Sequence, residues 1–356
     1  MKTCVFGKLL LLVVFLSVSC SPKKEYSDSV SFSWNDFAEC AIDSTLPLPQ
    51  EVFLQMPIRL LCEDSVLFVQ NRQGDGFIHR FRLPGLDVFG TGQVELGNGP
   101  QEVLSAYRMQ VQDSLFWLFD IMGQSAVAYD KNVVCDSLLF PGCRKVKLDE
   151  PFGDIAVLPG NRFVATSLNP NHKRLSFFDS DGKFVGTASG YPDFGIGFST
   201  LETVEAYVCE MVCDPVNRHL WLFYKLTDLI EIYTYDGKLV KRLHGPDGFF
   251  PSVSERSLDD GMQKVSSNPG ETRDAYFCPQ YSDGKMYVLY SGKVFERGQS
   301  ASAYLFDALL SFDVDGTPDK CYRLPVPVYS FTVDGQGKVL YGLSFDPEYH
   351  LIKFPL

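Results

Sequence analysis

The sequence predicts an all-β fold, namely a six-bladed β-propeller built from four-stranded antiparallel blades. Three observations support this prediction: a hairpin pattern that recurs six times, a second hairpin after most copies, and a 14% aromatic content across 356 residues. Helical patterns are nearly absent, with one candidate for a short helix at 251–266. The 45% hydrophobic content is typical of folded chains and excludes wholesale disorder.

Each copy of the first hairpin has a short alternating apolar strand, a tight turn and a second strand rich in aromatic residues. The six copies cover residues 58–70, 108–120, 154–168, 209–224, 279–290 and 330–344. Their turns are marked by Asp64, Asp113, Pro159, Asp214, Asp283 and Asp334. The intervals between these turns, 46 to 69 residues, are typical of propeller blades.

A second hairpin after most copies completes a four-stranded blade. These hairpins cover residues 79–96, 126–140, 174–188, 229–243 and 309–324. A four-stranded sheet has two apolar faces, and radial stacking against its neighbours buries both, which explains the aromatic content. The longest irregular stretch, residues 247–273, is predicted to be an inserted loop.

The last repeat is incomplete, because only one strand's length of chain follows residue 344. Since an open edge strand invites aggregation, we expect the chain before the first blade, about residues 30–54, to supply the missing outer strand. Two segments are alternatives for this strand: 30–37, which alternates well, and 51–55.

The first twenty residues resemble a bacterial lipoprotein signal. Lys2 and Lys8 precede an apolar run at 9–16 that is too short to span a bilayer, and small residues lead to Cys20. We therefore predict a signal peptide at 1–19, a lipid-anchored tether at 20–30, and one propeller domain at 31–356. The alternative is an ordinary secretory signal with an incidental Cys20.

This signal predicts that the protein is located in the cell envelope and is held on a membrane by its lipid anchor. Ser21 follows the cysteine, which by resemblance to sorting in enterobacteria favours the outer membrane. The sequence does not indicate whether the domain faces the periplasm or the exterior. The net charge of −12 argues against a nucleic-acid partner, since such proteins need clustered Lys and Arg.

No motif predicts a cofactor or a metal site. The five His are scattered, and no calcium loop, nucleophile elbow or phosphate-binding loop is present. Eight Cys follow Cys20, and we interpret most of them as small buried residues. A disulfide between Cys135 and Cys143 is an open alternative, because an exported chain permits disulfides.

A further motif lies between the first two blades, where Gly97, Gly99, Pro100 and Glu102 match the pattern G-x-G-P-x-E. With the six repeats and the lipoprotein signal, this segment resembles the TolB-like six-bladed propeller lipoproteins of Bacteroidetes. The resemblance covers nearly the whole mature chain and implies a six-bladed propeller fold and a location in the cell envelope. It implies no reaction.

Two groups of residues are candidates for facing a ligand. The first is the loop between blades 1 and 2, with Gly97, Asn98, Gly99, Pro100 and Glu102, because such loops gather around a propeller's channel. The alternative is a structural turn, in which Gly supplies positive φ and Glu102 caps free amides.

The second group comes from aligning the inner strands on their turns. Five residues before each turn are Arg59, Arg108, Asp154, Cys209, Cys278 and Tyr329, and Glu210 lies one position on. Two Arg at the channel would suit an anionic ligand such as a carboxylate or a sugar acid. The alternative is a lining in which Arg59, Arg108, Asp154 and Glu210 pair with one another.

The predicted function is a non-enzymatic binding or scaffolding lipoprotein that presents its channel face to a ligand, a protein or a glycan. The alternative is a hydrolase or lyase that acts on sugars or sugar acids at the channel mouth. Catalytic residues drawn from several blades would leave little local signature, so both classes stay open.

Overall fold

The computed structural model describes residues 25–42, 46–47, 54–72, 76–258, 261–345 and 348–356. Three short strands precede the first sheet: β1 (Ser29–Ser31), β2 (Ala38–Ala41) and β3 (Leu46–Pro47). Six antiparallel sheets then follow one another along the chain. No helix in the described ranges is long and apolar enough to cross a membrane.

Each sheet is one blade, and its strands run in order from the channel to the rim. Blade 1 has β4 (Pro57–Glu63), β5 (Val66–Asn71), β6 (Ile78–Arg82) and β7 (Asp87–Gln93). Blade 2 has β8 (Ala106–Gln112), β9 (Leu115–Asp120), β10 (Ser125–Asp130) and β11 (Gly142–Lys147). Blade 3 has β12 (Phe152–Leu158), β13 (Arg162–Ser167), β14 (Leu175–Phe178) and β15 (Phe184–Ala188).

The second half of the chain repeats this plan. Blade 4 has β16 (Cys209–Asp214), β17 (His219–Tyr224), β18 (Leu229–Thr234) and β19 (Leu239–His244). A separate hairpin follows, with β20 (Val253–Ser257) and β21 (Gln263–Ser267). Blade 5 has β22 (Tyr276–Ser282), β23 (Lys285–Tyr290), β24 (Phe306–Asp313) and β25 (Pro318–Val328). Blade 6 has β26 (Ser330–Val333), β27 (Val339–Phe345) and β28 (Tyr349–Pro355), with β3 as its outer strand.

The inner strands contact one another in the order β4, β8, β12, β16, β22 and β26, and β26 contacts β4 again. This closed ring of six blades confirms the predicted fold. Aromatic side chains cross the blade interfaces: Phe68 and Phe116 have ring centroids 4.7 Å apart, and those of Trp117 and Phe163 are 5.3 Å apart. Aromatic side chains thus pack in the interfaces where neighbouring sheets stack on each other.

Residues 29–42 and 46–47 form a strap along the rims of three blades. Strand β1 pairs in parallel with β19 of blade 4, and β2 pairs in parallel with β25 of blade 5. Strand β3 pairs antiparallel with β28 and completes blade 6, as the prediction of an N-terminal closing strand required.

The first segment considered for the closing strand was wrong, and most of the second lies outside the described residues. Residues 30–37 lie beside blade 4 and in a 3-10 helix at Trp34–Asp36, not on blade 6. Of the alternative 51–55, residues 51–53 lie outside the described residues, and Leu54 is not in a strand. The alternation in 30–37 is typical of a strand at a sheet edge. Any exposed edge can pair with such a strand, so the pattern does not identify the blade.

Two short helices appear where strands or loops were expected. Helix α1 (Lys131–Asp136) interrupts the expected hairpin at 126–140 and moves the outer strand of blade 2 to Gly142–Lys147. Helix α2 (Thr200–Ala206) has a capping box formed by Ser199 and Glu202, a signal that the sequence contains. A second 3-10 helix covers Ala301–Tyr304.

The candidate helix at 251–266 is also corrected, because this stretch forms the antiparallel hairpin of β20 and β21. The predicted inserted loop at 247–273 is therefore partly regular structure. Its two aromatic residues at the start, Phe249 and Phe250, pack against buried clusters of the blades.

The ring has two ends, which we name by their chain connections. The connection face carries the links between blades, where inner strands begin: 94–105, 148–151, 189–208 and 245–275. The loops between second and third strands lie at the same end. The hairpin face carries the turns where inner strands end: 64–65, 113–114, 159–161, 215–218, 283–284 and 334–338.

Candidate functional site

The charged side chains of the channel stand at one level of the inner strands. Arg59, Arg108, Asp154 and Glu210 each lie four residues before the last residue of their strands. The pairing register shifts just before this level in blades 1 and 2, and at this level in blade 3. Such bulges turn a strand and re-aim its side chains, which brings these groups toward the channel axis.

The central contact is an ion pair between opposite blades. Arg59 Nη1 of blade 1 lies 2.8 Å from Glu210 Oε2 of blade 4, and Lys225 Nζ lies 2.9 Å from Oε1 of the same carboxylate. Glu210 is only 2% exposed. Burial alone would raise the pKa of Glu210, but Arg59 and Lys225 outweigh burial and hold the pKa below its usual range.

A second ion pair stands beside the first. Arg108 Nη1 lies 2.7 Å from Asp154 Oδ2, and its Nη2 donates to the carbonyl of Met211 in blade 4. The Met211 N–H donates to the same carboxylate oxygen at 2.5 Å. We call the five residues Arg59, Arg108, Asp154, Glu210 and Lys225 the charged layer.

Tyr107 adjoins this layer. Burial raises the pKa of its hydroxyl well above the usual value, and the charges of Asp154 and Glu210 add to that rise. The hydroxyl therefore stays protonated and serves only as a neutral hydrogen-bonding group. Neither Tyr107 nor Lys225 was identified from the sequence, because both lie outside the aligned position of the repeats.

A cavity of about 530 Å³ extends from the charged layer toward the hairpin face. Arg59 and Arg108 lie at one end, and Asp113, Pro215, Asp283 and Gly335 lie in or beside turns at the other. Its walls come from the inner strands of blades 1, 2, 4, 5 and 6. This volume falls in the range of small-molecule sites.

Two glutamines in the wall join neighbouring inner strands. Gln110 donates to the Val157 carbonyl at 2.8 Å and accepts from the Val157 N–H at 2.9 Å. Gln280 Nε2 donates to the carbonyls of Phe331 and Leu60 at 2.6 and 3.2 Å. The sequence analysis missed both, although each lies three residues before the Asp of its turn.

Thiols also line the inner strands. Cys62 and Cys213 border the cavity, and burial raises the pKa of Cys62 to about 12 and that of Cys213 to about 11. Both are free, as is Cys135, for which a disulfide was considered. Within the described ranges, no group of three or more His, Cys, Asp or Glu side chains could hold a metal ion.

The loop with the G-x-G-P-x-E motif lies on the connection face and is not among the residues that line the cavity. The Glu102 carboxylate accepts from the Gly99 N–H at 2.8 Å, and Lys145 donates to the carbonyls of Gly99 and Glu102. A Cβ on Gly97 would overlap Glu102 Oε2. Gly97 and Gly99 have no positive φ, so close approach of the carboxylate, not φ, requires glycine here.

The structure thus brings Arg59, Arg108, Asp154 and Glu210 together, in the paired arrangement that was the alternative to an anion site. It places the group of Gly97, Asn98, Gly99, Pro100 and Glu102 elsewhere. Asn98 and Pro100 are exposed on that loop. Contact with a ligand remains a prediction for both groups.

Several solved structures have a similar fold. A putative exported protein from Bacteroides fragilis has a TM-score of 0.55 at 11% identity, covering 92% of this chain and 98% of that one. A member of the DUF4221 family from Bacteroides vulgatus also has a TM-score of 0.55, at 10% identity, with 88% and 96% covered. Virginiamycin B lyase from Staphylococcus aureus has a TM-score of 0.46 at 11% identity, with 88% and 98% covered.

These likenesses concern the fold alone. No curated protein sequence matches the chain significantly. The sequence profile of the TolB-like 6-blade propeller-like family matches residues 36–336, which is most of the chain. With a closed ring of six blades around a charged channel, the chain belongs to the TolB-like six-bladed propeller family.

Proposed function

We propose that the protein is an exported lipoprotein, anchored by Cys20 in the outer membrane, whose channel cavity binds a small ligand that carries a carboxylate. The anchor is supported by the signal at 1–19 and by the short polar tether. Ser21 supports the outer membrane. The binding role is supported by the cavity and by the charged layer at one end of it.

That charge is the observation that carries the proposal. The charged layer holds three cations and two carboxylates, so this end of the cavity has one positive charge in excess, whereas Glu63, Asp113 and Asp283 line the cavity further toward the hairpin face. Arg59 contacts Glu210 through Nη1, whereas its Nε and Nη2 have no hydrogen-bond partner among the described residues. A planar guanidinium with free N–H groups at the end of a cavity suits a carboxylate.

The binding test uses the mature chain with Cys20→Ser, purified without lipid. A panel of sugar acids, dicarboxylates and short peptides is compared by calorimetry with the matching parent sugars and amides. At least one acid is expected to bind at least tenfold more tightly than its uncharged partner. Absence of any such preference across the panel contradicts the carboxylate site.

A matched pair of variants locates the binding. Gly335 lines the cavity and a Cβ there meets open space, so Gly335→Phe is expected to narrow the cavity with no clash at its Cβ. Gly197, on the connection face, also has open space around a Cβ and serves as the control. Gly335→Phe is expected to abolish binding and Gly197→Phe to leave it unchanged; the reverse result refutes the cavity as the site.

The anchor is tested separately. The wild-type chain is expected to incorporate labelled palmitate and to fractionate with outer membranes on a density gradient, whereas Cys20→Ala does neither. Recovery of both chains in the soluble fraction without label would show an ordinary secretory signal.

A further inference from the structure

The chain joins the propeller at one place on the connection face. Tyr26 is 1% exposed, and its hydroxyl lies 3.1 Å from Thr227 Oγ1. Its ring contacts Phe194 and Phe250, with centroids 5.4 and 5.1 Å away. Phe194 and Phe250 belong to the links that enter and leave blade 4, so Tyr26 fixes the start of the chain on this face.

The distance from this point to the anchor is limited by the sequence. Six Cα–Cα steps separate Cys20 from Tyr26, and a fully extended chain of that length reaches about 20 Å. A lipid on Cys20 therefore keeps the connection face near blade 4 within that distance of the membrane surface. Lys23 and Lys24 in the same segment add attraction to anionic headgroups.

Exposed apolar side chains lie in two segments whose buried residues share a core cluster with Tyr26. We define the tether patch as five of them in the link 189–208 and in the hairpin β20–β21: Ile196, Leu201, Val208, Leu258 and Met262. They are 38% to 61% exposed. Ser199 Oγ donates to Glu255 at 2.8 Å and the Glu255 N–H donates to Glu202 at 3.0 Å, which holds helix α2 against the hairpin.

Exposed apolar side chains also lie elsewhere at both ends of the ring. Further exposed apolar side chains on the connection face are Leu96, Leu104, Met122, Leu168, Val294 and Tyr304. At the hairpin face, the exposed large apolar side chains among the described residues are Leu138, Leu139 and Val216 in the turns and Val88, Phe184, Val185 and Val240 at the near ends of outer strands.

We propose that the connection face lies against the bilayer, with the tether patch in contact with its interface, so that the cavity opens away from the membrane. This inference rests on the proposed anchor at Cys20. Apolar side chains on a rigid platform gain free energy by entering the interfacial region, and the anchor removes most of the cost of bringing them there.

Hydrogen–deuterium exchange compares the lipidated full-length protein on vesicles of phosphatidylethanolamine and phosphatidylglycerol with the soluble Cys20→Ser chain. We expect exchange in 194–208 and 254–267 to slow at least threefold on vesicles. Exchange in the turns near 64, 113 and 283 is expected to be unchanged. Protection confined to the hairpin face, or equal at both ends, overturns the proposal.

Two lipidated variants separate the patch from the anchor. The triple variant Ile196→Ser, Leu201→Ser, Met262→Ser is expected to lose most of the protection, whereas Leu138→Ser, Leu139→Ser keeps it. The mass of the N-terminal peptide reports lipidation independently. Lipidation without protection refutes the orientation alone, and an unmodified Cys20 refutes the orientation together with the anchor.

Discussion

Arg59 and Glu210 lie three blades apart in the ring and meet across the channel at 2.8 Å. Since blades 1 and 4 are opposite each other, this ion pair connects two halves of the ring that share no sheet. The channel is therefore crossed by charged side chains at the level where inner strands begin. The space beyond them, toward the hairpin face, is the cavity.

The first prediction concerns the stability that this pair provides. Arg59→Met keeps the aliphatic volume but leaves the buried Glu210 with Lys225 as its remaining ion-pair partner. Breaking a buried pair from one side costs 3–5 kcal/mol, and because Lys225 remains we expect a loss of about 3 kcal/mol in urea unfolding. The double variant Arg59→Met, Glu210→Gln is expected to recover part of it.

The ion pair of Lys131 is the control, because it shows how much a partly exposed pair contributes to the free energy of unfolding. Its contact with Glu63, at 2.9 Å, is partly exposed, and Lys131→Met is expected to cost less than 1 kcal/mol. If Arg59→Met costs no more than Lys131→Met, the pair across the channel does not brace the ring.

The second prediction is a dependence of stability on pH. Because the folded protein holds the pKa of Glu210 below its usual range, the charged form is favoured by folding. Its contribution is complete above the unfolded pKa of about 4.3 and is lost as the pH falls below that value. The stability difference between wild type and Glu210→Gln should therefore be largest at pH 6 and shrink toward pH 3.

Glu39→Gln serves as the comparison, since Glu39 is 74% exposed beside Arg323 at 3.5 Å. That variant is expected to stay close to wild type throughout. A constant difference between Glu210→Gln and wild type over the same pH range contradicts the assignment.

The third prediction explains the glycine of the G-x-G-P-x-E motif. Gly97→Ala forces the Glu102 carboxylate away from the Gly99 N–H, and we expect a cost of about 1 kcal/mol, the value of one hydrogen bond. In a Glu102→Ala background the same substitution should cost nothing further. Gly190→Ala, which meets open space, is the control. Equal costs in both backgrounds would show that backbone conformation requires the glycine.

The fourth prediction concerns the start of the strap. Tyr26→Ala removes a buried ring and is expected to lower the free energy of unfolding by about 3 kcal/mol. Tyr26→Phe removes one hydrogen bond and is expected to lower it by about 1 kcal/mol. Urea unfolding measures both losses. Hydrogen exchange at 29–31 should accelerate in Tyr26→Ala only, and unchanged exchange there would show that β1 is held without the tyrosine.

Most of the charged layer could be predicted from the sequence, but the alignment of blade 4 was wrong by one residue. Asp214 marks the turn of blade 4 by composition, but it pairs with His219 and is the last residue of its strand. Asp64 and Asp113 follow their strands. Counting back from Asp214 therefore gives Cys209 at the position that Glu210 occupies. The four-residue turn at 215–218 caused the error, since turn length sets register in a hairpin.

The strap could not be predicted in the same way. Its strands have two to four residues each and pair with rims that are open to any extended segment, so sequence alternation does not select the blade. Tyr26 decides the first contact by packing against the links of blade 4. That contact depends on side chains far away in sequence, such as Phe194 and Phe250, and leaves no local pattern.

The strap has one more consequence, for what happens if the protein leaves the membrane by proteolysis. A cut before Tyr26 releases a propeller in which β1, β2 and β3 stay paired with blades 4, 5 and 6. A cut within 32–37 separates β1 from β2 and allows β1 to detach, which bares the outer edge of β19 in blade 4. An unpaired edge of this kind can recruit strands from other chains. Shedding at the first position thus yields a stable free propeller, and shedding at the second yields one prone to aggregate.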